Sequence, residues 1–165
     1  MEKMYCPWRQ VYSALTHDRP AYTTATCIFC AIIQHPEDDS RNFVIKRLNN
    51  CAVMLNLYPY NAGHMMIVPY RHTDTVLELT PAEQTETMAA LSEAIGWLTT
   101  VSKPDGFNIG LNLGKAAGAG IPEHVHWHVL PRWQGDTNFM PLLANTKQIS
   151  FDLKELYQKF REVSS

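Results

Sequence analysis

Three histidines alternate with apolar residues in one seven-residue stretch, residues 124–130, which reads HVHWHVL. Alternation with β-branched and aromatic residues is the period of a β-strand. On such a strand His124, His126 and His128 project from one face, and the valines and the tryptophan pack on the other. The stretch therefore predicts a strand that presents imidazoles on one side of a sheet and contributes to the core on the other.

Three imidazoles on one strand face favour a functional role, because neighbouring imidazoles compete for solvent and for protons. Two roles fit this arrangement. Histidines at alternate strand positions can chelate a metal ion such as zinc. Alternatively, one imidazole can act as a nucleophile that its neighbours orient. The strand alone does not distinguish these roles.

Length and composition limit the classes of protein to consider. The chain has 165 residues, which suits one domain with a single core, and 45% of them are hydrophobic and 18% charged. The net charge is −2 and there is no basic run, which gives little support to a nucleic-acid partner. No apolar run approaches the length of a membrane span, and the opening MEKMYCPWRQ does not read as a signal peptide. We therefore expect a cytoplasmic protein that binds neither nucleic acid nor membranes.

Cys27 and Cys30 form a Cys-x-x-Cys pair, which is half of a common zinc signature. The same spacing serves redox dithiols, but those require a thioredoxin-like βαβ context that is not evident here. Four cysteines in a chain without a recognisable leader favour reduced thiols or metal ligands over disulfides.

The strand signals between turn-rich segments predict an antiparallel meander. The first two strands flank Asn49 and Asn50, residues that tolerate a positive φ and suit a tight hairpin. The predicted strands are residues 43–48, 51–57, 64–68, 107–113 and 124–130.

Two main helices are predicted. The first begins at Thr80, because a proline follows it and Glu83 completes a capping box. Its apolar stripe includes Met88, which we expect in the core. The second helix begins at about Ser150, and the first 22 residues include a short amphipathic segment.

A glycine-rich stretch, Asn112 followed by LGKAAGAG, separates the fourth and fifth strands and contains Gly118 and Gly120. Glycines let backbone N–H groups approach an anion closely, and the lysine adds a positive charge. The spacing is not that of a P-loop. A flexible loop without a ligand is one interpretation, but its position before the histidines favours a phosphate site beside imidazoles.

HVHWHVL resembles the histidine-triad motif of the nucleotide-binding HIT proteins. The resemblance extends over residues 27–139 and includes CIFC, LNLYPYNAGHMMIVPYRH, TPAE, GFNIGLNLG and LPRWQGDTNF. The N-terminal YCPWRQVY is similar to the opening of a bacterial branch, and within the family the chain looks most like the diadenosine-tetraphosphate phosphorylase-like group.

The resemblance implies an α+β fold, the HIT fold, with a five-stranded antiparallel sheet, two main helices and a zinc staple, usually as a homodimer. Residues 1–165 would form a single HIT domain with a core of about 27–140. The segment 1–22 and the helix of about 150–163 would pack on that core or on a dimer partner.

The resemblance also implies catalytic roles. His126, the middle histidine, would attack the α-phosphorus of a nucleotide and form a covalent nucleotidyl-histidine that water or phosphate resolves. His128 and His64 match positions that contact phosphate or orient the nucleophile. This agrees with the chemistry of a neutral imidazole, which is a competent nucleophile near neutral pH.

The remaining family positions concern binding. Asn56 matches a residue that binds the ribose hydroxyls, and Trp133 matches one that packs near the base. The phosphate side corresponds to Asn112, Gly118 and Gly120. In several bacterial HIT proteins a structural zinc is bound by four positions that here are Cys27, Cys30, His72 and His124. A closed Cys2His2 set indicates structure rather than catalysis.

One departure leaves the reaction open. Many HIT hydrolases carry a polar side chain just before the triad, where this chain has Gly120, Ile121 and Pro122. Phosphorolysis or hydrolysis of dinucleoside polyphosphates such as diadenosine tetraphosphate is the function we expect, because Asn56 is typical of that branch. The alternatives are a nucleoside phosphoramidate hydrolase, a nucleotide- and zinc-binding interaction module with little catalysis, or a catalytic zinc on the three triad histidines.

Overall fold

The computed structural model of the chain describes residues 23–136 and 151–164. The predicted amphipathic segment within residues 1–22 lies outside the described residues. In chain order the elements are helix α1 (Ile28–Gln34), strands β1 (Val44–Arg47), β2 (Cys51–Leu55) and β3 (Met65–Pro69), helix α2 (Pro81–Ser102), strands β4 (Gly106–Leu111) and β5 (Trp127–Arg132), and helix α3 (Leu153–Val163). None of the helices in these two ranges has the length and apolar character needed to cross a membrane.

The five strands form one sheet in the order β1-β2-β3-β5-β4, and each neighbouring pair is antiparallel. The first three strands are the predicted meander. The fifth strand lies between β3 and β4, which makes β4 an edge strand of this sheet. The predicted α+β class with a five-stranded antiparallel sheet is confirmed.

The two long helices cover one face of the sheet. Helix α2 begins with the predicted capping box, in which the Thr80 hydroxyl accepts from the Glu83 N–H and the Glu83 carboxylate accepts from the Thr80 N–H. Leu98 of α2 and Phe160 of α3 are completely buried in the shared core. Full burial of a side chain of this size stabilises the fold by roughly 1.5–3 kcal/mol, so α3 is held by its apolar face.

The opposite face of the sheet packs against α1 and the segment before β5. Phe29, Met54, Val68 and Ile121 belong to the buried cluster on this side. Helix α1 is short and was not among the two predicted helices. Its N-cap residue is Cys27, so the Cys-x-x-Cys pair lies at the start of this helix, against the sheet.

The fifth strand begins at Trp127, three residues later than predicted. The reason is a backbone hydrogen bond outside the sheet, because the Val125 N–H donates to the carbonyl of Thr73 at 2.6 Å. His124 therefore lies at a bend that ends the turn at residues 121–124, His126 directly precedes β5, and His128 lies in β5 itself.

The predicted hairpin turn is confirmed, and one core assignment is corrected. Asn49 and Asn50 form the turn between β1 and β2, which the Leu48 N–H closes by donating to the Cys51 carbonyl, and the Glu86 carboxylate on α2 accepts from both asparagine backbone N–H groups. Met88 is 57% exposed, so its assignment to the core is wrong. The buried stripe of α2 runs instead through residues such as Ala90, Ala94 and Leu98.

Candidate active site and Cys–His cluster

Cys27, Cys30, His72 and His124 converge on the α1 side of the sheet, and we refer to them as the Cys–His cluster. One potential ligand atom from each residue lies within 4.8 Å of the others. The two cysteines come from the start of α1, His72 follows β3, and His124 precedes β5. The fold thus brings the four positions that the sequence analysis named as metal ligands into one group that could hold a metal ion.

The distances within the cluster fit a tetrahedral metal ion. The Nδ1 atoms of His72 and His124 are 3.3 Å apart, and Nδ1 of His124 lies 3.4 Å from Sγ of Cys27 and 3.6 Å from Sγ of Cys30. Tetrahedral zinc, with bonds of about 2.0 Å to nitrogen and 2.3 Å to sulfur, implies roughly 3.3 Å between two nitrogens and 3.5 Å between nitrogen and sulfur. The donor set is therefore the right size for such an ion.

The orientation of His124 also suits a ligand. Its Nε2–H donates to the carbonyl oxygen of Pro69 at 2.8 Å, which leaves Nδ1 as the atom with a free electron pair facing the cluster. Burial lowers the pKa of His124 to about 4, so its imidazole is neutral. Burial, with the neighbouring Cys27, raises the pKa of Cys30 to about 11, so binding a metal at neutral pH must displace its proton.

The His126 side chain is held by the backbone of His124. Its Nδ1 lies 2.8 Å from the carbonyl oxygen of His124 and must be the donor, because a carbonyl only accepts. Neutral His126 therefore carries its proton on Nδ1, and Nε2 is unprotonated. The side chain is buried, and the Phe29 ring packs 4.9 Å from the imidazole between ring centroids.

His128 is oriented by a relay that starts at a backbone amide. The Tyr60 N–H donates to Nδ1 of His64 at 3.1 Å, so that nitrogen is an acceptor and Nε2 of His64 carries the proton. Nε2 of His64 then donates to Nδ1 of His128 at 2.9 Å. Neutral His128 consequently carries its proton on its buried Nε2 atom. The Tyr60 ring stacks on the His64 imidazole and further restricts it.

Asn56 shares this hydrogen-bonded group. Its side-chain Nδ2 lies 3.4 Å from Nδ1 of His64, and its Oδ1 accepts from the Tyr58 N–H at 2.9 Å. These two contacts set the orientation of the buried amide. Asn56 directly follows β2 and His64 directly precedes β3, and the Asn56 N–H donates to the His64 carbonyl at 2.9 Å.

A first cavity of about 80 Å³ opens beside these residues. Phe29, Ile32 and Met54 give it an apolar interior. Its polar positions include Asn56, Gly120, His126 and His128. An apolar recess with few convergent polar groups is the kind of lining that binds a small organic ligand.

A second cavity of about 260 Å³ also reaches His128 and is more open. It is lined by Tyr60, Leu130 and residues of β4, and by Asn112 at the start of the glycine-rich loop. The structure thus places Asn112 in the cavity that His128 lines and His126 does not. Asn112 was expected on the same phosphate side as Gly120, whereas the two residues line different cavities.

The remaining two expected binding residues line neither cavity. Gly118 ends the short turn in the glycine-rich loop with a φ of 86°, a conformation that glycine adopts without strain. Trp133 follows β5, and its indole N–H donates to the carbonyl of Ser102 at 3.3 Å, at the end of α2. The contact of Trp133 with a base stays a prediction.

A polar group centred on Asp136 was missed by the sequence reasoning. Its carboxylate accepts from Arg132 at 2.6 and 2.9 Å and from the Asn61 side-chain amide at 2.9 Å. Asn61 belongs to the same turn as Tyr60, so this group holds the turn that orients His64. Asp136 lies in the segment LPRWQGDTNF, but the spacing of that segment did not indicate that Asp136 contacts Asn61, 75 residues earlier in the chain.

Comparisons with known proteins identify the family of the chain. A family model for the HIT domain matches residues 37–135. A Mycobacterium tuberculosis protein named AP-4-A phosphorylase is 40% identical over 152 residues, which is 90% of this chain and 77% of that protein. The chain therefore belongs to the HIT domain family.

Two solved structures support the same fold. A Zn-bound histidine triad family protein from Mycobacterium smegmatis has a TM-score of 0.67 at 26% identity, covering 86% of this chain and 94% of that one. A HIT-like protein from Bartonella henselae has a TM-score of 0.68 at 17% identity, covering 87% and 99%, which supports the fold alone. The resemblance drawn from HVHWHVL is thus confirmed at the level of family and fold.

The hydrogen bonds predict a definite tautomer for each histidine at the site. In mildly alkaline buffer, where histidine side chains are ordinarily neutral, we expect His126 to carry its proton on Nδ1, and His64 and His128 to carry theirs on Nε2. Long-range ¹H–¹⁵N correlation spectra of the imidazoles measure this directly. A proton on Nε2 of His126 would contradict the assignment, and the exposed His35 serves as an internal reference.

Proposed function

We propose that the protein cleaves dinucleoside polyphosphates such as diadenosine tetraphosphate, with Nε2 of His126 as the nucleophile. The observation that carries this proposal is the hydrogen bond from Nδ1 of His126 to the His124 carbonyl, which leaves Nε2 unprotonated beside the first cavity. Membership of the HIT family and the similarity to a protein named AP-4-A phosphorylase support an enzyme that acts on nucleotides.

In the proposed mechanism the first cavity receives one nucleoside of the substrate. Its apolar interior, with Phe29 and Ile32, accommodates the base, and Asn56 meets the ribose at the polar side. The α-phosphorus then lies near His126. Binding energy from the nucleoside orients the phosphorus for attack, which converts a bimolecular reaction into an intramolecular one.

The first chemical step exchanges one bond for another. Nε2 of His126 forms a bond to the α-phosphorus, and the bond from that phosphorus to its bridging oxygen breaks. The electron pair stays with that oxygen, so diadenosine tetraphosphate releases ATP. The Nε2–H of His128 donates to a phosphate oxygen as negative charge develops there, and the relay from the Tyr60 amide through His64 keeps that donor in place.

The second step decides the class of enzyme. An oxygen of inorganic phosphate attacks the adenylyl phosphorus, the bond to Nε2 breaks, and ADP forms; with water instead, AMP forms. We favour phosphorolysis because of the similarity to the protein named AP-4-A phosphorylase. Gly120 and Ile121 line the cavity without a side-chain donor, so the acceptor must rely on backbone N–H groups and the histidines.

The test is turnover of diadenosine tetraphosphate with and without inorganic phosphate. We expect phosphate-dependent formation of ADP and ATP, and a loss of about a thousandfold or more in His126→Ala. His35→Ala, at an exposed histidine outside the site, is the control and should retain full activity. Activity that survives His126→Ala would refute the nucleophile, and phosphate-independent release of AMP would indicate a hydrolase.

We further propose that the Cys–His cluster holds a structural zinc ion. The distances within the cluster and the similarity to a Zn-bound histidine triad family protein support this ion. The four ligands would close its coordination shell, so the ion would contribute stability and hold α1 against the segment before β5. A catalytic zinc on all three triad histidines is disfavoured, because Nε2 of His124 donates to the Pro69 carbonyl and its Nδ1 faces the Cys–His cluster instead of His126 and His128.

Metal analysis of matched variants tests this site. We expect about one zinc per chain in the wild type and in His126→Ala, and its loss in Cys27→Ala with a lower melting temperature. Cys51→Ala removes an equally buried cysteine outside the cluster and should retain zinc. Because Cys30 must lose its proton on binding, zinc affinity should fall as the pH falls. Zinc lost from His126→Ala but kept in Cys27→Ala would contradict the assignment.

A homodimer is the assembly we propose. The supporting feature is β4, an edge strand whose central residues, including Ile109, are exposed. Edge strands present unpaired backbone groups that a second copy can satisfy by antiparallel pairing across a two-fold axis.

Light scattering should therefore give a dimer for the wild type and a smaller species for Ile109→Lys. Leu77→Lys, at a more exposed leucine away from β4, should remain dimeric; a monomeric wild type would refute the proposal.

A further inference from the structure

The second cavity lies on the face of the sheet that carries the catalytic histidine side chains. In the β4–β5 ladder Asn108 is opposite Leu130, and Gly110 is opposite His128. Residues directly opposite each other in an antiparallel pair project to the same face. Asn108, Gly110 and His128 therefore lie on the same face of the sheet, and Asn108 and Gly110 form the floor of the second cavity.

The two cavities meet at His128, which lines both of them. The glycine-rich loop also joins them, since Asn112 at its start lines the second cavity and Gly120 at its end lines the first. Lys115 lies within this loop and supplies a positive charge. A ligand that occupied both cavities would pass His128 and follow the loop, which is the path that a chain of phosphates requires.

The lining of the second cavity suits a nucleoside better than a free phosphate. Within the described part of the chain its lining includes no Asp, Glu, Lys or Arg side chain, and it offers amides, a phenol and the apolar Leu130. The Asn108 amide is oriented, because its Oδ1 accepts from Arg132 at 2.6 Å. Oriented amides beside an aromatic ring and an apolar side chain are groups that recognise a base or a ribose.

We propose that the second cavity binds the distal nucleoside of a dinucleoside polyphosphate, the part that departs in the first chemical step. This assignment rests on the proposed function of the first cavity and His126. It explains why the enzyme has a formed surface beyond His128, where a leaving group would otherwise meet only solvent. The remote nucleoside would contribute binding energy without touching the reacting phosphorus.

Gly110 provides a steric test of this assignment. A Cβ atom built on Gly110 meets no other atom within 4 Å, so a side chain there would enter the cavity without displacing the protein. Its φ is not positive, so valine fits the strand. Gly106 lies on the same strand and face, has equally open surroundings and does not line the cavity. Gly106→Val is therefore the matched control for Gly110→Val.

The experiment compares three substrates that share an adenylyl group. Diadenosine tetraphosphate has the distal nucleoside, adenosine 5′-tetraphosphate has the phosphates without it, and adenosine 5′-phosphoramidate has neither. We expect Gly110→Val to lower kcat/KM for diadenosine tetraphosphate about tenfold and to change the other two by less than about twofold. Gly106→Val should behave as the wild type on all three, and light scattering of both variants verifies that their assembly is unchanged.

The outcomes separate this inference from the proposed function. Equal losses on both tetraphosphates would mean that the cavity holds phosphates and would overturn the nucleoside assignment. Unchanged kinetics of Gly110→Val on diadenosine tetraphosphate would overturn it as well. If the wild type turns over none of the three substrates, the proposed function itself fails.

Discussion

The hydrogen bond between Nδ1 of His126 and the carbonyl of His124 is the interaction on which the site depends. It determines which nitrogen of His126 is available for attack. The side chain of the same His124 belongs to the Cys–His cluster, and its Nε2 is held by Pro69 at the end of β3. One buried residue therefore supplies a metal-type ligand through its side chain and positions the proposed nucleophile through its backbone. The sheet and the cluster together hold this residue from two sides.

His128, the second histidine of the proposed mechanism, is supported differently. His128 receives its orientation from His64, and His64 receives its own from the Tyr60 amide. The turn that provides this amide is tied through Asn61 to Asp136, and Asp136 is tied to Arg132 at the end of β5. The His124 carbonyl thus determines the tautomer of neutral His126, and the Tyr60 amide determines that of neutral His128 through His64, which prepares the site before substrate binds.

Sequence alone predicted the sheet, the capping box of α2 and the histidines that share a face, because these depend on local periodicity and spacing. It did not predict where β5 begins, since that depends on a hydrogen bond from Val125 to Thr73, far away in the chain. The Glu86 contacts that close the β1–β2 turn are likewise nonlocal. The expectation that His124 is a metal ligand, while His126 and His128 serve catalysis, came from the family resemblance. The second cavity could not be predicted, because it depends on the register between β4 and β5, which the sequence did not specify.

The most direct test of the central claim is to trap the covalent intermediate. The wild type should be mixed briefly with diadenosine tetraphosphate in the absence of phosphate, quenched under alkaline conditions that preserve phosphoramidates, and mapped by peptide mass spectrometry. We predict one adenylyl group on the peptide that contains residues 124–130, attached to Nε2 of His126. Adenylation of a different residue, or turnover with no adenylated protein on the time scale of a single reaction cycle, would contradict the account.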